Sequence, residues 1–218
     1  MGARAGLILM VLAILAAGGY VFWRQFWFFR DPQRMPPQGA GLVSPADGTV
    51  VYVKKVEPGA DVVVIKQGVS AKVSDILHED FDKPKLVVGI FMSPFDVHYN
   101  RAPLGGTVKF IHRYPASGGG NHFMGEMHLR SVLGLEPRYA GSMHIVENER
   151  AVTQIEGDYK GAPLACYVVQ IGARTVNGID SFVPAGGRVE RGATFGMIRV
   201  GSQVDVVIPW RYDFSVLV

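Results

Sequence analysis

Only one cysteine, Cys166, occurs in this chain. A lone thiol cannot close an internal disulfide and meets no zinc-ligand spacing, so Cys166 is expected as a small core residue in a reducing compartment. The six histidines form no His-Glu-x-x-His pair. His122 and His128 are six apart with no carboxylates at ligand spacing, so no metal site is expected. Charge of either sign is modest: 22 Lys and Arg against 19 Asp and Glu leave a formal net charge of +3. No tight Lys/Arg cluster with interleaved aromatics marks a nucleic-acid surface, and the small positive excess fits attraction to anionic lipid instead. Long amphipathic helices alternating with strands are missing as well, which argues against a parallel α/β sheet.

Charge is entirely absent from Ala5 to Trp23, AGLILMVLAILAAGGYVFW. At ~1.5 Å rise per residue these 19 residues reach ~28 Å, close to the ~30 Å hydrocarbon core of a bilayer. A secretory signal peptide is the competing reading, with Ala16-Ala17-Gly18 as its cleavage site. Against it, the run exceeds a usual signal-peptide core. It also leads into Phe22, Trp23, Phe26, Trp27, Phe28 and Phe29 with Arg24 and Arg30 among them, a composition suited to the membrane–water interface. The pair Gly18-Gly19 leaves open a helix that bends into the interface rather than spanning. Arg4 precedes the segment, while Arg24, Arg30 and Arg34 lie beyond it. The positive-inside rule therefore puts the C-terminal domain on the cytoplasmic side of the cell membrane. Residues 1–30 are read as a membrane anchor. Residues 31–40, DPQRMPPQGA, are read as an extended Pro-rich linker, and 41–218 as one domain of ordinary size.

That domain reads as mainly β. Short strand-like runs rich in Val, Ile, Phe and Tyr follow one another: Val50 to Val56, ADVVVIKQG, KLVVGIFMS, GTVKFIHRY, RAVTQIEG and ACYVVQIGA, then a Gly-rich chain of short strands, GRVERGATFGMIRVGSQVDVVIP. One helix is suggested near Asn121 to Leu133. A β-sandwich or partly open barrel is the expected architecture. SPADGTV and GRVERGATFGMI resemble the barrel-sandwich hybrid of lipoyl and biotinyl carriers, so lipoyl-like halves are part of that expectation.

The chemistry-bearing residues fall in three segments. Gly201-Ser202 is by itself only a turn-like dipeptide, as is Gly141-Ser142. Its context, FGMIRVGSQV with a 17-residue C-terminal remainder from Ser202 to Val218, is more specific. Ser44-Pro45-Ala46-Asp47-Gly48 reads as a turn in which Asp47 can bond its own backbone. Ser93-Pro94-Phe95-Asp96-Val97-His98 is followed by Tyr99-Asn100-Arg101, and alternation would put Asp96 and His98 on one face. Together, and in this order, they resemble the phosphatidylserine decarboxylase family, in the compact form of bacteria and archaea. The resemblance runs from Phe28 onward, through Phe29-Arg30-Asp31-Pro32 and Asn148-Glu149-Arg150.

That resemblance implies an enzyme that cuts itself between Gly201 and Ser202. The Ser202 hydroxyl would attack the Gly201 carbonyl, turning amide into ester. Elimination would release the upstream chain, and the resulting dehydroalanine would hydrolyse to a pyruvoyl group and ammonia. The covalent pyruvoyl cofactor would then serve as electron sink for loss of carbon dioxide from phosphatidylserine, yielding phosphatidylethanolamine. Asp47 would support serine activation, Asp96 would assist His98, and His98 would deliver a proton at a near-neutral pKa. The long form of the family has a second histidine three residues after the first. Arg101 stands there in this chain, so the base for self-cleavage is open among His98, His144 and His122. Arg101, Arg113 and Lys109 are candidates for the head-group phosphate. The expected partners are phosphatidylserine, membrane lipid and the cleaved chain 202–218, with homo-oligomerisation left open and no nucleic acid. The alternative is a non-catalytic, lipoyl-like, membrane-anchored binding or adaptor module. A true carrier would show a modifiable Lys at the corner where Gly201-Ser202 stands.

Overall fold

The computed structural model describes residues 2–66, 68–78, 82–117, 119–174, 178–199 and 202–217. Helix α1 (Gly2–Phe22) has no buried residue. It continues through a π-helical turn, Trp23–Trp27, and Gly2–Trp27 is long and apolar enough to cross a membrane. The rest is mainly β. In chain order come β1 (Thr49–Val56), β2 (Asp61–Lys66), β3 (Val69–Lys72), α2 (Val73–Leu77), β4 (Lys85–Met92), β5 (Tyr99–Arg101) and β6 (Gly106–Tyr114). Next are α3 (Gly125–Val132), α4 (His144–Glu147), β7 (Arg150–Tyr159), β8 (Ala162–Gly172), β9 (Ile179–Ser181), β10 (Arg188–Val189), β11 (Thr194–Ile198) and β12 (Ser202–Pro209). The expected helix near Asn121 to Leu133 forms as α3. The C-terminal part of the Gly-rich chain is a strand of eight residues, β12, because its Val and Ile can be buried on both faces.

Seven strands make one antiparallel sheet in the order β1-β4-β12-β8-β7-β6-β10. The period of two divides its side chains between two cores. Val204, Val206 and Ile208 of β12 join Ile90, Met92 and Ile155 on one face, capped by Phe195 and Ile198 of the small sheet β5-β11-β9. Val207 joins Val87, Phe91, Val169 and Tyr52 on the other, capped by the β2–β3 hairpin, α2, Met127 of α3 and Ile145 of α4. Strand β4 is buried on both sides, which is why KLVVGIFM reads as a continuous apolar run rather than an alternation.

Two glycines set the geometry near the middle of the sheet. A Cβ on Gly89 would lie 2.4 Å from the Tyr52 ring. Its absence lets the ring cross β4 toward Asp205, the partner of Gly89 on β12. Gly48 has φ +148, and a Cβ there would stand 2.2 Å from the Phe91 carbonyl oxygen. Glycine therefore lets the Pro45–Gly48 turn press directly on β4.

Candidate functional site

Gly201 and the side chain of Ser202 lie outside the described residues. The Ser202 backbone opens β12, with Met92 of β4 on one side and Gly172 of β8 on the other. Cutting just before Ser202 would therefore leave a strand registered on both flanks, from Ser202 to Pro209 against β4 and from Ser202 to Val207 against β8. The group implied by the family resemblance needs a serine at the head of a firmly held segment, and this arrangement fits it.

The Met92 end of β4 leads straight into the Ser93–His98 loop. Its turn is closed twice by Asp96: the Asp96 N–H donates to the Ser93 carbonyl at 3.1 Å, and the carboxylate Oδ2 accepts the Ser93 N–H at 2.7 Å. The hydrogen bond between Asp96 and His98 thus runs through the Asp96 main chain and not its carboxylate. The loop is irregular rather than a strand, and His98 Nδ1 lies 2.9 Å from the Asp96 main-chain oxygen. A carbonyl can only accept, so Nδ1 carries the proton and Nε2 is the proton-accepting atom of the neutral ring. His98 is fully buried, with the Phe28 ring centroid 4.3 Å away. Burial pushes the imidazole down to about 4; the Asp96 carbonyl and charge oppose this, while Arg30 and His128 add to it. The near-neutral value expected from sequence is not what this environment produces: His98 is uncharged at pH 7. Its carbonyl accepts the Ile198 N–H at 3.2 Å, fixing the end of β11, four residues before Ser202.

The turn holding Asp47 packs against the same region. The Pro45 carbonyl accepts the Arg101 N–H at 2.8 Å and the Asn100 side-chain amide at 3.5 Å. The Asp47 carboxylate itself pairs with Arg34 of the linker. Arg101 also faces the linker. It pairs with Asp31 and donates to the Pro32 and Gly192 carbonyls at 3.1 and 3.2 Å. Arg113 donates to the Ile179 carbonyl at 2.6 Å, and Lys109 pairs with Glu156 at 3.0 Å. All three candidate phosphate ligands thus have partners within the chain.

The chain fold adds residues that the motifs do not contain. His144 is buried, and its Nε2 lies 3.1 Å from Gln203 Oε1, one residue past Ser202. The Gln203 amide donates at 2.8 Å to both the Tyr52 hydroxyl and Asp205 Oδ1, and Tyr52 donates to Asp205 Oδ2 at 2.8 Å. Burial pushes Asp205 up to about 6, opposed by its bonds to Gln203 and Tyr52 and by Arg150. It pushes His144 down to about 4, opposed by Gln203 and reinforced by His128, His122 and Arg150. On α3, His128 faces the Phe91 ring at 5.0 Å and lies near enough to His98 and His144 to depress both. His122 pairs with Glu147, and Asn148 ties the His122 main chain to Gly172: Asn148 Oδ1 accepts the His122 N–H at 2.6 Å, and its amide donates to the Gly172 carbonyl at 2.6 Å. Four histidines therefore gather around the head of β12. Among the described residues no three of His, Cys, Asp and Glu are placed to hold a metal ion. The sequence carried one overlooked signal of the network, a charged Asp205 inside the apolar run Val204–Ile208.

Comparison with known proteins gives these residues a context. A family profile described as phosphatidylserine decarboxylase matches residues 23–218. The chain is 34% identical over 193 residues to a putative archaetidylserine decarboxylase proenzyme of Methanocaldococcus jannaschii, covering 88% of this chain and 82% of that one. It is 31% identical over 202 residues to a phosphatidylserine decarboxylase proenzyme of Streptomyces avermitilis, covering 93% and 68%. A phosphatidylserine decarboxylase proenzyme of Magnetococcus marinus is 32% identical over 213 residues, covering 97% and 76%. With its motifs gathered at the head of one strand and the match reaching nearly end to end, the chain belongs to the phosphatidylserine decarboxylase family.

Proposed function

We propose that the chain is a decarboxylase proenzyme that cuts itself between Gly201 and Ser202 and then removes carbon dioxide from the serine head group of a membrane phospholipid, phosphatidylserine or its archaeal counterpart. The observation that carries this reading is the junction at His98. One residue closes the loop after β4 and, through its carbonyl, holds β11 four residues before a serine that opens β12. The relatives are named as proenzymes, which supports catalysis over a non-catalytic adaptor module.

In this reading His98 Nε2 takes the proton of the Ser202 hydroxyl as that oxygen attacks the Gly201 carbonyl. A ring held neutral down to about 4 is available as base at pH 7, and once charged it gives its proton back readily. Asp47 and Asp96 act indirectly, through the turns that press on the head of β12. The pyruvoyl group, once formed from Ser202, supplies an electron sink for the carbanion left by carbon dioxide. Chain 202–218 stays bound through its registers with β4 and β8. Residues 1–30 anchor the domain at the membrane, on its cytoplasmic side by the positive-inside rule. Residues 31–40 link the anchor to the catalytic domain, 41–218, and Arg101 acts on the linker before it acts on any phosphate.

Intact mass under denaturing conditions tests this directly. Two chains are expected, 1–201 and a 17-residue chain from Ser202 to Val218 that begins with pyruvoyl. Ser202→Ala should give one uncut, inactive chain. An active preparation made of a single unbroken chain would overturn the proposal.

A further inference from the structure

We propose that the outward side of α3 and the turn after it form a second contact with the lipid bilayer, beside the N-terminal helix. This rests on the membrane reading of residues 1–30. Leu129, Val132 and Leu133 follow i, i+3, i+4 spacing and share one side of the helix. Leu129 is 61% exposed and Leu133 59%, and Phe123 just before the helix is 64% exposed. The inward side is already in use. Met124 and Met127 are buried in the core, His128 lies on Phe91, and Ser131 Oγ stands 2.9 Å from Thr49 Oγ1. The outward residues are therefore not a misplaced part of the domain core.

The end of α3 is built to hold them outward. The Gly134 N–H donates to the Ser131 carbonyl at 3.2 Å and the Leu135 N–H to the Arg130 carbonyl at 2.8 Å, with Gly134 at φ +63. This left-handed stop usually folds the next apolar residue back on the helix. Here Leu135 remains exposed. Soluble surfaces rarely keep this many large apolar side chains together without a partner.

Position identifies the partner. Helix α3 lies against β4 at Phe91, next to the Met92–Ser202 pair that heads β12. The N-terminal helix docks at that same end. Trp23 Nε1 donates to the Pro94 carbonyl at 3.1 Å, and Trp27 Nε1 and Arg30 donate to the Phe95 carbonyl at 3.4 and 2.5 Å. Phe26, Trp27 and Phe95 are exposed there. Apolar side chains thus flank the head of β12 from two separate elements, and a bilayer that takes the anchor is within reach of α3. Arg130 and Arg138 on the same segment are offset by Glu126, which pairs with Arg138 at 3.7 Å, and by Glu136, so the contact is an apolar one. A lipid head group could then meet the site without leaving the interface.

The test is depth-resolved quenching in the full-length chain. Cys166 is fully buried and its thiol is pushed up to about 12, so it leaves the background unlabelled. Leu133→Cys, Phe26→Cys and Tyr212→Cys would each carry a polarity-sensitive fluorophore. Tyr212 lies past the far end of β12 and is exposed. The labelled proteins would be reconstituted in phosphatidylcholine–phosphatidylglycerol vesicles with nitroxide-bearing lipid. Loss of fluorescence at Leu133 comparable with that at Phe26, and none at Tyr212, is expected. Quenching at Phe26 without quenching at Leu133 would overturn the second contact while leaving the anchor intact. A blue shift at Leu133 without nitroxide quenching would overturn it too, in favour of a second protein surface. No quenching at Phe26 would remove the anchor reading and this proposal with it, and quenching at all three sites would overturn it as nonspecific.

Discussion

The Phe28 ring lies against the His98 imidazole with centroids 4.3 Å apart, so a residue just past the N-terminal apolar helix also covers a fully buried histidine of the site. The N-terminal segment and the catalytic candidate are thereby packed together, and a change at Phe28 bears on the proton affinity of His98.

Replacing Phe28 should therefore move a pKa as well as a stability. Phe28→Ala is expected to cost about 3–5 kcal/mol, as for other buried Phe truncations; Phe28→Leu is the milder variant. In either, water reaches His98 and its pKa rises from about 4 toward 6.5. The rate of self-cleavage against pH would show the half-maximum moving upward; an unchanged profile would mean that Phe28 only packs.

His98→Ala should leave the chain uncut. Loss of a general base is typically worth ~10²–10⁴-fold in rate, enough to see on a gel within the time the wild type takes to process. A variant that cuts normally yet makes no phosphatidylethanolamine would confine His98 to decarboxylation. His144, held at Gln203 one residue past Ser202, would be the next candidate base.

The Arg34–Asp47 pair separates two roles for Asp47. As a partly exposed ion pair it is worth about 0–1 kcal/mol. Arg34→Ala should shift the denaturation midpoint little and leave cleavage intact. Asp47→Asn should slow cleavage if the carboxylate supports serine activation. Equal, small effects from both would reduce Asp47 to a turn and linker contact.

Stability should fall on the acid side. His98 and His144 stay neutral in the fold down to about 4, whereas an unfolded histidine takes up its proton near 6.5. Each therefore contributes stability that is present above 6.5 and lost as pH falls toward 4, about 3 kcal/mol apiece. Asp205 has the opposite sign. Its pKa is raised to about 6, so its cost at neutral pH is relieved as pH falls below 6. The sum of these three is a net loss of about 3 kcal/mol between pH 6.5 and 4. Denaturation in detergent micelles at several pH values should show His144→Gln flattening that limb and Asp205→Asn steepening it.

The mainly β character, the N-terminal apolar helix and the three motif segments were legible in the sequence, because each depends on local pattern: a charge-free run, β-branched strands, turns set by Pro, Asp and Gly. What the residues do with one another was not. Alternation suggested that Asp96 faces His98 with its carboxylate, but the chain turns there and the carboxylate closes the loop instead. Arg101 was a candidate for a lipid phosphate, and the fold sets it against Asp31 of the linker, seventy positions earlier. The gathering of His98, His122, His128 and His144, and the reach of Tyr52 over Gly89 to Asp205, required strand pairing that brings a tyrosine within hydrogen-bond distance of a carboxylate 153 positions away. Sequence sets which side chains are available and what each segment prefers locally. Burial decides their protonation, and burial is a property of the packed whole, so only the tertiary structure could carry the His98 pKa from 6.5 down to about 4.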